Sequence, residues 1–297
     1  MRSNAFAAVV LMASTLALNG CAEDKATSNS QVELPFGLIG ESRGIAVDGD
    51  GVVYVAAADR PENSSSWTHV TTLAKDAAKP SELVAVPASF TDVVRGGDGT
   101  FYGLVYPKVA SLEKGALAPT DVPIEFAEDD SFLVDLAVNE DGDVYIASSK
   151  RILLVRKGSA KPEPLPFPAI KGRVAIALGP EGDLYVLSQE YKDAKSGDKT
   201  PQLWRLAKGA SEPTKLDAPD FAGFESFAVG GNGDLYVTGS ETTDGGDPEV
   251  LVFIPGEKSL TKIPFDGTVN GRHDIAVGPD GDIYVTDDNR VFEVPRN

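Results

Sequence analysis

Apolar and polar positions along the chain follow one pattern that occurs six times. A short apolar-Ala-apolar segment or a close variant leads into a polar turn ending in Gly, and an apolar-Tyr-apolar segment follows. The clearest copy is His273-Asp-Ile-Ala-Val-Gly-Pro-Asp-Gly-Asp-Ile-Tyr-Val-Thr286. The turn glycines are Gly51, Gly99, Gly142, Gly182, Gly233 and Gly281, each followed three positions later by Tyr54, Tyr102, Tyr145, Tyr185, Tyr236 or Tyr284. Intervals of 48, 43, 40, 51 and 48 residues between these glycines mark a repeated supersecondary unit. In each copy the first segment, such as Ile45-Ala46-Val47 or Leu136-Ala137-Val138, is a predicted strand. The Asp-Gly, Glu-Gly or Asn-Gly dipeptide supplies the positive backbone angle of a tight hairpin. The second strand, for example Val144-Tyr145-Ile146 or Leu235-Tyr236-Val237, is apolar on both faces, which predicts cover on both sides.

A third strand is predicted at Ile152 to Val155, Leu203 to Leu206, Val250 to Ile254 and Val291 to Val294, and more weakly at Val70 to Leu73 and Val109 to Leu112. A fourth carries proline, as in Leu165-Pro166-Phe167 or Lys262-Ile263-Pro264-Phe265. It must lie at an edge, because proline lacks the donor that a central strand needs. Four strands per unit with a proline-bearing edge predict an all-β fold, a six-bladed β-propeller with four-stranded antiparallel blades. The last copy stops at Pro295 after three strands, while Val32-Glu33-Leu34-Pro35-Phe36 looks like an orphan outer strand. The N-terminal strand is therefore expected to complete blade six and close the ring, removing its unpaired edge.

Ahead of the repeats, Arg2 precedes an apolar run from Ala5 to Leu18, too short to cross a bilayer as a helix but suited to a secretory leader. Leu18-Asn19-Gly20-Cys21 resembles the lipobox of bacterial lipoproteins. That resemblance implies a signal peptide over 1–20, acylation of Cys21, a tether over 21–31 and a propeller over 32–297, held at the cell envelope outside the cytoplasm. Cys21 is the single cysteine, so no disulfide forms within the chain and stability must come from packing.

Charge narrows the classes of partner. Lys and Arg number 27 against 45 Asp and Glu, a formal charge of -18. Removing residues 1–20, with one Arg and no acid, makes it more negative still. Such a balance excludes nucleic acid as a partner and argues against adhesion to anionic lipid. The membrane enters only through the lipid anchor, and a monomer is expected.

The apolar-Ala-Val, Asp-Gly, apolar-Tyr-Val pattern is similar to NHL-type repeats over essentially all of residues 32–297. Six of them resemble the six-bladed propellers of the NHL and gluconolactonase-like groups. The resemblance implies a fold but no activity, since such propellers include binding modules, lyases and lactonases.

Candidate chemistry collects at one end of this expected ring. The loops from strand two to strand three are long in blade one (Asp59 to Trp67), blade four (Gln189 to Pro201) and blade five (Ser240 to Glu249), all on the face opposite the Asp-Gly turns. Long loops on one end of a rigid scaffold are a usual place for binding. Trp67 and Tyr191 are the aromatic contact candidates there. At the same end, the position seven before each turn glycine faces the axial channel mouth. It holds Gly44, Asp92, Asp135, Ala175, Ser226 and Asp274. The preceding position holds Arg43, Thr91, Val134, Val174, Glu225 and His273, with Arg173 and Arg272 one step further out. Arg43, Asp92, Asp135, Arg173, Glu225, Arg272, His273 and Asp274 thus form a candidate binding site for a polar or ionic ligand. The same charges equally fit inter-blade hydrogen bonds and ion pairs that cap strand ends.

Gluconolactonase-type enzymes use an axial Glu, Asn and Asp set to hold a metal, and Gly40-Glu41-Ser42 is faintly similar to their first ligand motif. Matching positions elsewhere hold Thr91, Val134 and Val174, so no metal site, cofactor or catalytic residue is assigned. His273, beside Asp274 and Glu225, is the acid-base candidate. The Asp48-Gly-Asp-Gly51 turn has Val52 and Val53 where an EF-hand loop needs an oxygen ligand and a glycine, and it is a hairpin. Arg95 replaces the valine or leucine of its register, which calls for a paired acid or for a local cation in the channel. No Walker loop or nucleophile elbow is present. The expected function is a lipid-anchored envelope module that binds an envelope protein or a small polar ligand. The alternative is a metal-dependent lactonase or other hydrolase.

Overall fold

In the computed structural model the six copies form six four-stranded antiparallel sheets. It describes residues 31–296, apart from 60–66, 87–88, 131, 192–198, 220, 222, 241–248, 258, 264–272 and 288. From the axis outward, blade one comprises Glu41–Val47, Val53–Asp59, Trp67–Leu73 and Ser81–Val86, and blade two Asp92–Arg95, Phe101–Val105, Lys108–Leu112 and Thr120–Asp121. Blade three comprises Leu133–Val138, Val144–Ser148, Ile152–Val155 and Glu163–Pro164, and blade four Arg173–Leu178, Leu184–Tyr191, Lys199–Leu206 and Thr214–Leu216. Blade five comprises Gly223–Val229, Leu235–Ser240, Glu249–Phe253 and Leu260–Ile263. Blade six takes Ile275–Val277, Ile283–Asp287 and Arg290–Val294 from the C-terminus and its outer strand, Val32–Glu33, from the start of the domain.

The repeated glycines do the turning. Gly51, Gly99, Gly142, Gly182, Gly233 and Gly281 all have φ between 77° and 90°. In blade one the Asp48 N–H donates to Val52 O at 3.1 Å and the Gly51 N–H to Asp48 O at 2.9 Å. This is a three-residue hairpin in which the left-handed residue must tolerate positive φ. The second strands are covered on both faces, as their composition demands: Val55 and Leu235 are 1% exposed, and Ile146 and Val237 are fully buried.

Each junction between neighbouring blades holds its own apolar cluster. Between blades four and five, Ala175, Tyr185 and Leu187 meet Phe224, Phe227 and Leu235. Burying one such large side chain contributes about 1.5–3 kcal/mol, so the ring is held by the sum of six interfaces rather than by one central core.

The proline-bearing segments are displaced from the expected strands. In blade three the outer strand is Glu163–Pro164, and Leu165-Pro166-Phe167 follows it. The Leu165 N–H makes the last rung, to Ile152 O at 2.9 Å, and the Phe167 N–H then turns back to Leu165 O at 2.8 Å. The same pair of bonds recurs around Pro35, from Leu34 to Val291 O and from Phe36 to Leu34 O, and around Pro123, from Val122 to Val109 O and from Ile124 to Val122 O. Proline therefore occupies the centre of a three-residue turn, the place where no donor is used. The related Pro264 and Phe265 lie outside the described residues.

Two long hairpins are also more regular than expected. In blade four Gln189, Glu190 and Tyr191 pair with Pro201, Thr200 and Lys199, which narrows the expected loop to residues 192–198. In blade one Asp59 pairs with Trp67. The connecting residues 60–66, 192–198 and 241–248 lie outside the described residues, as do the expected leader, Cys21 and the tether up to residue 30.

Ring closure rests on Val32 and Glu33 pairing with Glu293 and Phe292, and on Phe36, which packs with Val53, Val55 and Tyr284 across the junction of blades six and one. Deleting residues 32–36 removes a strand and a buried aromatic at once. The melting temperature is expected to fall by about 5–10 °C. An unchanged calorimetric transition in the deletion variant would refute closure by this strand.

Candidate functional site

A cavity of about 790 Å³ occupies the axial end of the ring where the innermost strands begin. The direction of the chain fixes its position: the Asp-Gly hairpins close the opposite end, while the second strands end and the third strands begin at this one. Gly44, Asp92, Asp135, Ala175, Ser226 and Asp274 all line it, one from each blade, as the spacing to the turn glycines predicted. The wall between them is apolar, with Val93, Val134, Val174, Phe227 and Ile275 among its residues.

These side chains also bind blade to blade. The Leu136 N–H of blade three donates to Asp92 Oδ2 at 3.2 Å, and the Ile176 N–H of blade four to Asp135 Oδ2 at 2.7 Å. The Ile275 N–H of blade six donates to Ser226 Oγ at 3.3 Å, and Ser42 of blade one donates its hydroxyl to Asp274 Oδ2 at 2.7 Å. An innermost strand has no neighbour on its axial side, so its backbone donors need side-chain acceptors. Ala175 has no acceptor to offer blade five. There the bidentate pair of Arg173 with Glu225, at 2.9 and 2.6 Å, makes the link. At the remaining junction Gly44 lets blade one touch blade two, since a Cβ at this position would lie 2.0 Å from Val93 O. The two readings of this ring, ligand contact and inter-blade cap, thus fall on the same atoms.

Five of the eight charged candidates face the cavity: Asp92, Asp135, Arg173, Glu225 and Asp274. Arg43 and His273 do not line it; they are 5% and 1% exposed, packed in the wall beside it. Neighbouring residues of a strand point to opposite sides, and irregular register is one way a residue is turned toward the axis. Register shifts at Leu133/Asp135 and Phe224/Ser226 bring Val134 and Glu225 round to the cavity. The shift at Ser42/Gly44 does not do so for Arg43, whose guanidinium instead holds Glu41 at 2.9 Å. Arg272 lies outside the described residues, and of Tyr191 only its place at the strand end is described. Trp67 stands on the rim, 38% exposed.

Three features were not foreseen. Gln189, taken for a loop residue, is 1% exposed in the cavity wall, where its Nε2 donates to Phe221 O at 3.1 Å. Tyr106 and Phe132 form an exposed aromatic pair on the rim, with ring centroids 6.3 Å apart. Ser42 is fully buried against Thr286, whose Oγ1 donates to it at 3.0 Å. Arg95 finds its acid across the junction in blade one: it lies 4.5 Å over the Tyr54 ring and 3.7 Å from Asp48. Burial opposes ionisation of Asp48, but hydrogen bonds from Val52, Tyr54 and Asp50 and the charge of Arg95 hold its pKa below the ordinary value.

The carboxylates of the cavity do not act independently. Burial in the wall pushes the Asp135 pKa up and the negative Asp274 adds to this, against the stabilising hydrogen bonds from Asp92, Ile176 and Leu136. A metal-binding set is not formed: no group of three His, Cys, Asp or Glu residues within reach of one ion occurs among the described residues. Glu41, the position resembling a first metal ligand, is not a lining residue and is tied to Arg43. The described residues therefore do not fit the lactonase-type metal.

Fold and cavity together define the class: a six-bladed β-propeller with an acid-lined axial mouth. No family model and no curated protein sequence matches the chain. In solved structures it is similar to a gluconolactonase from Xanthomonas campestris, with a TM-score of 0.64 and 14% identity over 89% of each chain. It is also similar to the virginiamycin B lyase of Staphylococcus aureus, with a TM-score of 0.52 and 15% identity over 89% of this chain and 97% of that one. TolB from Acinetobacter baumannii aligns with a TM-score of 0.54 and 10% identity over 84% of this chain and 65% of that one. Likeness at these identities establishes the fold alone.

Asp135 generates a pH dependence of definite sign. Its folded pKa lies above the ordinary value of 3.8, so above that pH the unfolded chain loses a proton that the folded state still holds. The stability associated with this proton is present below pH 3.8 and is lost as pH rises through the window up to the folded pKa. Asp135→Asn removes the titration. Its melting temperature relative to the parent is expected to be a few degrees more favourable at pH 7 than at pH 4, and a difference independent of pH would contradict the assignment.

Proposed function

We propose that the chain is an exported, lipid-anchored propeller of NHL-like repeats that acts at the cell envelope as a binding module. It receives a small polar ligand or an envelope protein at the end where the axial cavity opens. The observation that supports this most is the division of labour around the cavity. About 790 Å³ of space is lined by polar groups whose hydrogen bonds are already engaged in joining blades. Such a wall is rigid and preorganised, which favours recognition. Tyr106, Phe132 and Trp67, exposed on the same rim, are suitable anchors for a protein partner. Export and acylation at Cys21 are part of the proposal and rest on the lipobox-like segment.

Hydrolysis of a lactone is the second reading, favoured by the likeness to a gluconolactonase. The absence of a converging ligand set among the described residues weighs against it. Crosslinking in cells followed by purification separates the two. The parent protein is expected to retain a defined partner or ligand in the envelope fraction. A Tyr106→Ala, Phe132→Ala double variant should retain at least fivefold less of a protein partner, and Glu140→Gln, at the Asp-Gly end, should retain as much as the parent. Cys21→Ala is expected to leave the membrane fraction. Chelator-sensitive turnover of a lactone by the purified protein, with equal retention by all variants, would establish the hydrolytic reading instead.

A further inference from the structure

The charges of the cavity are arranged as two poles. Asp92 and Asp135 belong to blades two and three, and Glu225 and Asp274 to blades five and six, which lie across the axis from them in a ring of six. Arg173, the one cation among the described lining residues, forms a bidentate pair with Glu225. Asp92 and Asp135 face the cavity from adjacent blades, accepting from the Leu136 and Ile176 N–H groups. Acidic groups therefore stand on each side of the axis, Asp92 and Asp135 on one and Asp274 on the other, with apolar wall from Val93, Val134, Val174 and Phe227 between them.

Acceptors exceed donors on this wall, and one acceptor is unmatched. Gln189 is buried in the wall; the Phe221 carbonyl fixes the direction of its amide, and its Oε1 has no hydrogen-bond partner. A buried amide oxygen without a donor is uncommon enough in native structures to require a reason. A ligand donor supplied from the cavity is such a reason.

We propose that the cavity takes a small organic dication: two ammonium groups separated by an alkyl spacer, one group at each acidic pole, with Gln189 Oε1 accepting from the ligand. The spacer lies against the apolar wall, and each ammonium offers three donors to a wall rich in acceptors. A divalent metal is a poorer match, because it needs its oxygens gathered at 2.0–2.6 Å around one point, whereas these carboxylates stand on opposite sides of the axis. The proposal rests on the reading of the cavity as a binding site and adds the charge and shape of the ligand.

Isothermal titration calorimetry of the whole chain with 1,4-diaminobutane tests it, with 1,4-butanediol and calcium chloride as comparators. One diamine is expected to bind per chain, more weakly as salt is raised, with no saturable heat from the diol and no competition from calcium. Asp274→Asn, which keeps an acceptor for Ser42, is expected to weaken binding about tenfold. Gln189→Leu removes the unmatched oxygen together with the Nε2 bond to Phe221 O, so its melting temperature is followed alongside; while folded it should bind at least threefold more weakly than the parent. Glu140→Gln, at the far end of the ring, controls for the general attraction of a chain of charge -18 and should bind as the parent does. No saturable heat with the diamine, diol binding equal to diamine binding, competition by calcium, or undiminished binding in both cavity variants would overturn the proposal. Retention of a partner or a neutral ligand in the crosslinking experiment, together with that failure, would leave the binding-module reading standing and remove only the dication.

Discussion

The free axial edge of each innermost strand is the constraint on which the rest of this structure depends. A strand pairs on two sides, and in a propeller blade the first strand has a neighbour on one side only. Its outward donors must be satisfied by water or by a neighbouring blade. Here the preceding blade supplies the acceptor for a backbone N–H at three junctions, through Asp92, Asp135 and Ser226, and at a fourth Asp274 accepts from the Ser42 hydroxyl. Where the residue is Ala175, an arginine-glutamate pair replaces it, and where it is Gly44, backbone contact does. Apolar packing at the six junctions provides most of the stabilisation, and these polar links set how neighbouring blades align.

The chemistry of the cavity follows from that same constraint. Carboxylates chosen as strand caps necessarily point toward the axis, so their charges accumulate around one opening. The protein relieves the accumulation in two ways visible in the structure, a hydroxyl from Ser42 on Asp274 and the guanidinium of Arg173 on Glu225, while burial raises the pKa of Asp135. An axial cavity with acidic walls therefore needs no catalytic history to explain it. Likeness of fold to a gluconolactonase, a lyase and TolB marks the scaffold as one that hosts different activities, and its first ligand-like motif, Glu41, has been turned aside into a pair with Arg43.

Certain misplacements between sequence and structure share a local cause. Prolines 35, 123 and 166 resemble strand residues in an apolar-Pro-apolar setting, yet each sits one step past its strand, in a turn that reverses on the preceding residue. Gln189 and Tyr191 resemble loop residues because polar side chains surround them, yet they lengthen a hairpin. Arg43 and His273 occupy the right height on the ring but are buried in the wall beside the cavity, Arg43 despite the register shift at Ser42/Gly44.

What the sequence determined by itself was periodic. Six Gly and Tyr pairs at fixed offset specify six hairpins, doubly apolar second strands specify sandwiched sheets, and a missing final strand matched by an orphan first one specifies closure. Counting back from the turn glycines even located the ring of residues at the cavity, because a hairpin transmits register rigidly from its turn to its strand end. What only the tertiary structure decided was partnership: which carboxylate caps which blade, that Arg95 answers Asp48 of the neighbouring blade, and that Gln189 is buried with an unmatched oxygen. Those pairings join residues tens to hundreds of positions apart, and distance along a chain carries no information about which side chains meet when six separate sheets are brought round one axis.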